Sequence, residues 1–301
     1  MKKDFVKLLD YTADELAMLI ELAEKLKAEH KAGIIYKPLA GKSLGMIFQK
    51  SSTRTRVSFE VGMYQLGGQA LFLSNRDLQI GRGEPVEDTA RVLSRYVDGI
   101  MIRTYGHDEV EDLAKYATVP VINGLSDFAH PCQVMADLLT IKEYRGKLEG
   151  LKLAFIGDGN NMANSLIVGC LKMGMSVAIA CPAKHNPVAK ILDFAKPYGD
   201  KFLLTEDIYA AAAGADVLYT DVWASMGMED EAKQRMADFK GYCVTLDLCR
   251  AAGNPMVLHC LPAHRGEEIT AEVMDAHPEI YDEAENRLHA QKAIMVELMG
   301  K

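Results

Sequence analysis

The residues best suited to chemistry are five consecutive polar side chains, Ser-Thr-Arg-Thr-Arg at positions 52–56. They follow an apolar run at 43–48 and precede a segment in which Phe59, Met63 and Leu66 share one helical face, which predicts a strand, a turn and a helix. A helix N-terminus has unpaired backbone N–H groups and the positive end of the helix dipole, so it favours an anion. Arginine adds a planar fork that matches phosphate oxygens. The five residues therefore predict an anion site, rather than a Ser/Thr helix cap followed by solvated arginines.

Polar residues also follow other predicted strands. Arg103 and His130 do so in the first half of the chain. Asn161, Asp221 and Cys260 do so in the second half. Each alone has a structural explanation, such as a surface arginine, a histidine in a capping turn or a small buried cysteine. Because ligands bind at the carboxyl ends of the strands in parallel sheets, the whole set predicts an active-site cleft.

The elements that must position these residues alternate between strand and helix, which implies parallel sheets. Strands are predicted at residues 43–48, 70–73, 99–102, 119–122, 151–156, 176–180, 202–205, 217–220 and 256–259. Helices are predicted at 12–30, 85–96, 107–116 and about 285–299, and a loop at 77–84. The first helix begins with a capping box, in which Thr12 is the N-cap and Glu15 lies three residues on.

A polar break at residues 142–150 separates two halves of similar pattern. We therefore predict an α/β fold of two domains, each a parallel β-sheet flanked by helices, with the active site in the cleft between them. The predicted domains are residues 1–145 and 146–284, and the C-terminal helix at about 285–301 could pack back on the first domain.

Composition narrows the class of protein. The chain has 301 residues, a net charge of −8 and 49% hydrophobic residues, which suits two globular domains and argues against a general nucleic-acid binder. No apolar run approaches the ~20 residues that span a bilayer, and the N-terminus does not resemble a signal peptide. Six cysteines are scattered without C-x-x-C spacing, which favours a reducing cytoplasm over a disulfide framework. The sequence predicts a cytoplasmic protein with no membrane or nucleic-acid partner.

Cofactor motifs are incomplete. The residues at 52–56 do not form a nucleotide-binding P-loop. Gly157 and Gly159 begin a dinucleotide fingerprint, but Met162 stands where the third glycine belongs. His259, Cys260 and His264 lack the spacing of a zinc site. We therefore expect neither a cofactor nor a metal.

Four motifs occur in order along nearly the whole chain: S-T-R-T-R from position 52, H-P-C-Q from 130, D-V-W-A-S-M-G from 221 and H-C-L-P from 259. In this arrangement the chain resembles the aspartate/ornithine carbamoyltransferase family. The first two motifs mark the wider family, and the last two point to ornithine as the acceptor. The resemblance implies transfer of the carbamoyl group from carbamoyl phosphate to the δ-amine of L-ornithine, which gives L-citrulline and phosphate.

The resemblance also implies the roles of individual residues. Carbamoyl phosphate would be bound by Ser52, Thr53, Arg54, Thr55, Gln79, Arg103, His130, Gln133 and Arg287. Ornithine would be bound by Asn161, Asp221, Ser225, Met226, Cys260 and Leu261. The residues closest to the chemistry would be Arg103, His130, Asp221 and Cys260. Gln79 would reach the phosphate from a neighbouring subunit, since the resemblance implies a homotrimer or a multiple of trimers.

Two alternatives stay open at this stage. One is a relative that carbamoylates another amine, such as putrescine or N-acetylornithine, although Asp221 and the S-M-G segment suit an α-amino acid. The other is a catalytically silent relative that only binds ligands. The direction of the reaction, toward arginine biosynthesis or toward arginine catabolism, does not follow from the sequence.

Overall fold

The structure is a computed structural model that describes residues 2–224 and 231–300. The chain forms two compact units. The first contains Met1–Leu139 together with Asn286–Lys301, and the second contains Thr140–Glu285. The division therefore lies six residues before the domain boundary predicted from the polar break, inside a helix rather than in a loop.

The first unit is a four-stranded parallel sheet with helices packed against it. Its strands are β1 (Ser43–Phe48), β2 (Gln69–Ser74), β3 (Gly99–Arg103) and β4 (Val121–Leu125). Its helices are α1 (Ala13–Lys31), α2 (Thr53–Gln65), α3 (Val86–Leu93), α4 (His107–Tyr116) and most of α5 (Pro131–Arg145). The strand order β2-β1-β3-β4 places the carboxyl ends of β1, β3 and β4 side by side.

The second unit is a five-stranded parallel sheet in the order β7-β6-β5-β8-β9. Its strands are β5 (Lys152–Ile156), β6 (Ser176–Ala180), β7 (Phe202–Thr205), β8 (Val217–Thr220) and β9 (Met256–His259). Its helices are α6 (Asn161–Lys172), α7 (Ala189–Ala195), α8 (Ile208–Ala212), α9 (Ala232–Asp238), α10 (Leu246–Ala252) and α11 (Ala271–Ala276). The last helix, α12 (Glu279–Met299), begins in this unit, and its residues from Asn286 onward belong to the first unit.

The α/β class and the parallel sheets are as the sequence predicts. The strands β1 and β6–β9 have the predicted bounds, because each is a short apolar run ended by turn residues. The capping box is also present: Thr12 Oγ1 accepts from the Glu15 N–H at 3.2 Å, and the Thr12 N–H donates to Glu15 Oε2 at 2.8 Å. The inner strand β3 is buried over its whole length, whereas the edge strands β2 and β7 contain no buried residue.

Several predicted bounds are wrong, some of them, as for β2, β3 and β5, by a single residue. The fourth strand starts at Val121 rather than 119, because Pro120 has no N–H to give to a sheet ladder. Helix α3 ends at Leu93, where the Ser94 hydroxyl bonds back to the Ala90 carbonyl at 2.6 Å. The predicted loop at 77–84 contains a 3-10 helix, Gln79–Arg82, and α12 begins six residues earlier than predicted.

Within the part of the chain that the structure describes, every helix is too short or too polar to cross a membrane.

Candidate active site

The start of α2 carries the predicted anion-binding residues. Ser52 is the N-cap, and its Oγ accepts from the Thr55 N–H at 3.2 Å, as a Ser cap normally does. Thr55 is fully buried, whereas Thr53 is exposed and Arg54 is partly buried. The cap thus holds the first turn of the helix, with its N–H groups and hydroxyls, directly after β1.

Arg287 on α12 joins two other predicted residues. The guanidinium is 2% exposed, and it donates from Nη1 to Gln133 Oε1 at 2.6 Å and from Nη2 to Thr55 Oγ1 at 3.2 Å. Gln133 in turn donates to Asp137 Oδ1 at 2.8 Å, which fixes the orientation of its amide. These contacts bring together side chains that lie 154 and 232 residues apart in the sequence.

His130 lies just before α5 and is buried within this group of cations. Burial holds the pKa of His130 well below its usual value, and the nearby charges of Arg287, Arg103 and Arg54 lower it further. The imidazole is therefore neutral near pH 7. In that state one ring nitrogen donates a hydrogen bond and the other accepts one. His130 can thus polarise an oxygen without first giving up a proton.

Arg103 ends β3 and is 6% exposed. Its neighbour across the sheet is Phe48, the last residue of β1, so the carboxyl ends of β1 and β3 are adjacent. The strand order alone explains why Arg103 and the residues at 52–56 converge. The guanidiniums of Arg103 and Arg287 are buried and that of Arg54 is partly buried, and positive charges held this close together are costly unless an anion compensates them.

One member of the predicted cluster points elsewhere. Arg56 is exposed, pairs with Glu60 at 3.0 Å and lies 3.7 Å above the Phe72 ring. The expectation that both arginines at 54 and 56 line the anion site is therefore wrong for Arg56, because two residues along a helix turn a side chain by about 200°. Gln79 is also exposed, on the 3-10 helix after β2.

The second unit gathers a different set of groups around Asp221, which directly follows β8. Its Oδ1 accepts from Cys260 Sγ at 3.0 Å and from the Val222 N–H at 2.8 Å. Its Oδ2 accepts from Asn160 Nδ2 at 3.1 Å. Because β5, β8 and β9 are neighbours in the sheet, the loops after them bring Asn161, Asp221 and Cys260 to one edge.

His259, by contrast, serves the structure of its loop. Its ring is buried and bonds through Nε2 to Glu268 Oε1 at 3.0 Å, while Nδ1 accepts from the Leu261 N–H at 2.9 Å. Leu261 has φ 57°, a conformation that a non-glycine residue adopts only when neighbouring contacts hold it. Asp221, His259 and Cys260 lie close enough together for a metal ion, but both ring nitrogens of His259 are already bonded, so the group does not fit one.

An ion pair that the sequence did not predict anchors the chain after Asp221. Arg235 on α9 is 6% exposed and donates to the Asp158 carboxylate and to the Trp223 carbonyl. Burial raises the pKa of Asp158 to about 6, and the Arg235 charge opposes that rise. Asp158 lies in the Gly-Asp-Gly turn after β5, but 77 residues separate it from Arg235, and no local pattern reveals such a pair.

Asn160 and Glu268 were also missed. The sequence did contain a signal for Asn160, because an Asn directly before a helix predicts an N-cap. In the structure its Oδ1 accepts from the Met162 N–H at 2.9 Å. Glu268 had none. The predicted ornithine residues Ser225 and Met226 lie outside the residues that the structure describes.

Two family models match the chain. The carbamoyl-phosphate-binding domain of aspartate/ornithine carbamoyltransferase matches residues 3–143, and the aspartate/ornithine-binding domain matches residues 149–298. The chain therefore belongs to the aspartate/ornithine carbamoyltransferase family.

Its relatives include ornithine carbamoyltransferases. The one from Oceanobacillus iheyensis is 56% identical over 99% of this chain and 94% of its own length. The one from Carboxydothermus hydrogenoformans is 57% identical over 99% of this chain and 98% of its own. Among solved structures, the ornithine carbamoyltransferase from Pyrococcus furiosus has a TM-score of 0.95 and 52% identity, and covers 99% of this chain and 97% of its own.

Proposed function

We propose that this protein transfers the carbamoyl group of carbamoyl phosphate to the δ-amine of L-ornithine, which gives L-citrulline and phosphate. The observation that carries the proposal is the buried group of Thr55, Gln133 and Arg287 beside a neutral His130. It combines guanidinium donors for a phosphate with an uncharged donor for a carbonyl oxygen. The high identity to ornithine carbamoyltransferases over the whole chain supports the acceptor.

The phosphate would be bound at the start of α2, by Ser52, Thr53, Arg54 and Thr55 with Arg103. Backbone N–H groups and guanidiniums are the donors that phosphate oxygens accept best. Gln133 would hold the carbamoyl amino group through its amide oxygen, which already accepts one hydrogen bond from Arg287 and has a second lone pair for this purpose.

Ornithine would be bound by the second unit, with its α-ammonium on Asp221 and its carboxylate near Asn161. Cys260 and Leu261 would lie beside the chain that carries the reacting amine. The thiol of Cys260 and the amide of Asn160 already orient the Asp221 carboxylate. Ser225 and Met226 stay predicted contacts of ornithine.

The reaction would proceed by direct acyl transfer. The neutral δ-amine attacks the carbamoyl carbon, a C–N bond forms, and the oxygen of that carbon gains negative charge, which Arg103, His130 and Thr55 stabilise. The bond between the carbamoyl carbon and the bridging phosphate oxygen breaks, phosphate leaves with the electron pair, and the leaving phosphate takes the proton that the new ammonium loses. No enzyme nucleophile is required, because the leaving group is already activated, so positioning and electrostatic stabilisation carry the catalysis.

The acceptor amine must be neutral to attack, although free alkyl amines are protonated up to pH ~10. We propose that the arginine cluster favours the neutral amine, so that activity rises with pH. A flat profile of kcat from about pH 6 to about pH 9, with chemistry rate-limiting, would contradict this part of the proposal.

The first experiment is an acceptor test with purified protein. Carbamoyl phosphate is supplied with ornithine, putrescine, N-acetylornithine or aspartate, and the carbamoylated product is measured. Turnover with ornithine alone is the expected result. Turnover with another amine would overturn the acceptor, and no turnover in a protein that still binds carbamoyl phosphate would indicate a silent relative.

A matched pair of variants tests the phosphate site. Arg54→Ala is expected to weaken carbamoyl phosphate binding about ten- to hundredfold, which corresponds to the loss of a charged hydrogen bond. Arg56→Ala, two residues along the same helix, should leave it unchanged because Arg56 pairs with Glu60. Equal losses in both variants would contradict the assignment.

The homotrimer, the contribution of Gln79 from a neighbouring subunit and the cytoplasmic location stay predictions. So does the cleft that would bring the two bound substrates together.

A further inference from the structure

The first unit contains a cavity at the opposite end of α2 from the anion site. It has a volume of about 380 Å³, within the range of small-molecule sites. It lies among the C-terminal ends of α1 and α2, the segment at 33–37 and one residue of α12. Its lining includes Glu29, Ile34, Tyr36, Tyr64, Gln65 and Lys292.

Lys292 provides a buried positive charge in this cavity. Its side chain is on α12 and is 4% exposed, and its Nζ donates to the neutral amide oxygen of Gln65 at 3.0 Å. Burial lowers the pKa of Lys292, and the negative charge of Glu29 opposes this shift. An ammonium has three donors, and burying a charge is costly unless it is paired, so this group is suited to an anionic ligand atom.

Glu29 provides a negative charge in the same cavity. Its Oε2 is buried and has no hydrogen-bond partner among the described residues, and its Oε1 lies 3.8 Å from the exposed Lys25. A buried carboxylate oxygen of this kind is an acceptor for a ligand N–H group. The cavity therefore presents one buried donor of positive charge and one buried acceptor of negative charge.

Apolar and aromatic side chains form part of its walls. Leu26 and Leu66 are buried beneath it, while Ile34, Tyr36 and Tyr64 keep between 45% and 80% of their surface exposed. Exposed apolar side chains around a charged pocket are typical of a ligand site rather than of a packed core.

We propose that this cavity binds a free α-amino acid with an apolar side chain. The carboxylate would accept from Lys292 Nζ, the α-ammonium would donate to Glu29 Oε2, and the side chain would cover Tyr36 and Tyr64. A zwitterion satisfies both charges at once, which neither a simple anion nor a simple amine can do.

Two helices connect this cavity to the anion site. Helix α2 begins at the phosphate residues and ends at Tyr64 and Gln65, and α12 carries both Arg287 and Lys292. The helices pack closely at Gly62, where an added Cβ would lie 2.9 Å from Met295 Cε and 3.3 Å from Lys292 Cγ. An amino acid held at Lys292 is therefore expected to change the affinity for carbamoyl phosphate, a consequence that rests on the proposed function.

The test is isothermal titration calorimetry of the full chain with L-leucine, L-phenylalanine and L-arginine. It is performed in an Asp221→Ala background, so that binding at the ornithine site does not contribute. Saturable binding of an apolar amino acid is expected, and it should weaken about ten- to hundredfold in Lys292→Met and in Glu29→Gln. Lys240→Met, which removes an exposed lysine on the second unit, is the matched control and should bind as the parent does.

Three results would overturn the inference. They are no binding of any of the three amino acids at millimolar concentration, equal binding in Lys292→Met and Lys240→Met, and equal binding of 3-phenylpropanoate, which lacks the amino group. Light scattering that shows a smaller assembly for Tyr64→Ser would instead assign the cavity to a second copy of the chain, and would also overturn it. Direct titration with carbamoyl phosphate, with and without the amino acid, separates a failure of the coupling from a failure of the proposed function.

Discussion

The pKa values of two histidines in this protein are shifted in opposite directions by their surroundings. Burial and neighbouring arginines lower the pKa of His130 well below its usual value. Hydrogen bonds with Cys249 and Glu279 raise the pKa of His277 to about 9. The same side chain is thus a neutral donor in one unit and a cation in the other, and this difference follows from the groups that it contacts.

These opposite shifts predict opposite effects of pH on stability. Below pH ~6.5 an unfolded chain protonates His130 while the folded chain does not, so this residue lowers the free energy of unfolding as the pH falls. The contribution of His277 is fully present below pH ~6.5 and is lost as the pH rises through the folded-state pKa.

We expect ring NMR signals of labelled histidine to show both states. The His130 signals should not move between about pH 6 and pH 8, and the His277 signals should titrate near pH 9. The variants His130→Asn and His277→Asn assign the signals. A midpoint for His130 close to that of a free histidine would contradict a neutral donor in the active site.

At the scale of elements, two N-caps allow a structural role to be separated from a binding role. Ser52 caps α2 and Thr12 caps α1, and each accepts from the backbone N–H three residues on at 3.2 Å. Replacing either by Ala removes this hydrogen bond and should lower the free energy of unfolding by about 1 kcal/mol.

Only Ser52→Ala is expected also to weaken carbamoyl phosphate binding, because α1 takes no part in the anion site. Thermal unfolding and titration with carbamoyl phosphate measure the two effects separately. If Thr12→Ala weakened binding as much as Ser52→Ala, the loss would reflect general stability and not a contact with phosphate.

The segment that follows β8 is tied to its unit by Arg235, which bonds both the Trp223 carbonyl and the Asp158 carboxylate. We therefore expect Arg235→Met to raise the KM for ornithine at least tenfold with little change in carbamoyl phosphate binding. Arg250→Met, which removes an arginine with 64% of its side chain exposed, is the matched control.

The pH dependence of this contact supplies a second measurement. The pKa of Asp158 is about 6, so its carboxylate gains a proton as the pH falls through that value and then holds Arg235 less tightly. The KM for ornithine of the wild type should rise in this range, while Asp158→Asn should show a high KM that does not depend on Asp158 titration. Identical profiles for the two proteins would exclude this role.

At the scale of the whole molecule, the predicted trimer requires Gln79 to reach the phosphate site of a neighbouring subunit. It is exposed on a short 3-10 helix, whereas the other proposed phosphate contacts lie at the start of α2 or are buried. If Gln79 completes the site of a neighbouring subunit, Gln79→Ala and Arg54→Ala damage different parts of a shared site.

Mixing the two variants under conditions of subunit exchange should therefore restore part of the activity that each has lost at low carbamoyl phosphate concentration. Some mixed sites would then combine an intact Arg54 from one subunit with an intact Gln79 from the next. Light scattering should give a particle of three times the 33.2 kDa chain, or a multiple of it. Verified exchange without any recovery would contradict a contribution of Gln79 to the site of a neighbouring subunit.

The sequence alone determined the local features of this protein. Apolar runs ended by turn residues predicted β1 and β6–β9, and the capping box predicted the start of α1, because these signals involve residues close together in the chain. The functional roles of the candidate residues after each strand stay predictions, which rest on parallel strands bringing their carboxyl ends to one edge. The four ordered motifs indicated the family.

Only the tertiary structure decided which distant residues meet. The contact of Arg287 with Thr55, the anchoring of Trp223 by Arg235 and the outward orientation of Arg56 depend on how helices pack onto other elements. A sequence pattern identifies the buried face of a helix but does not state which partner covers it. The protonation of His130 is decided in the same way, because its pKa depends on burial and on three arginines that the fold brings together.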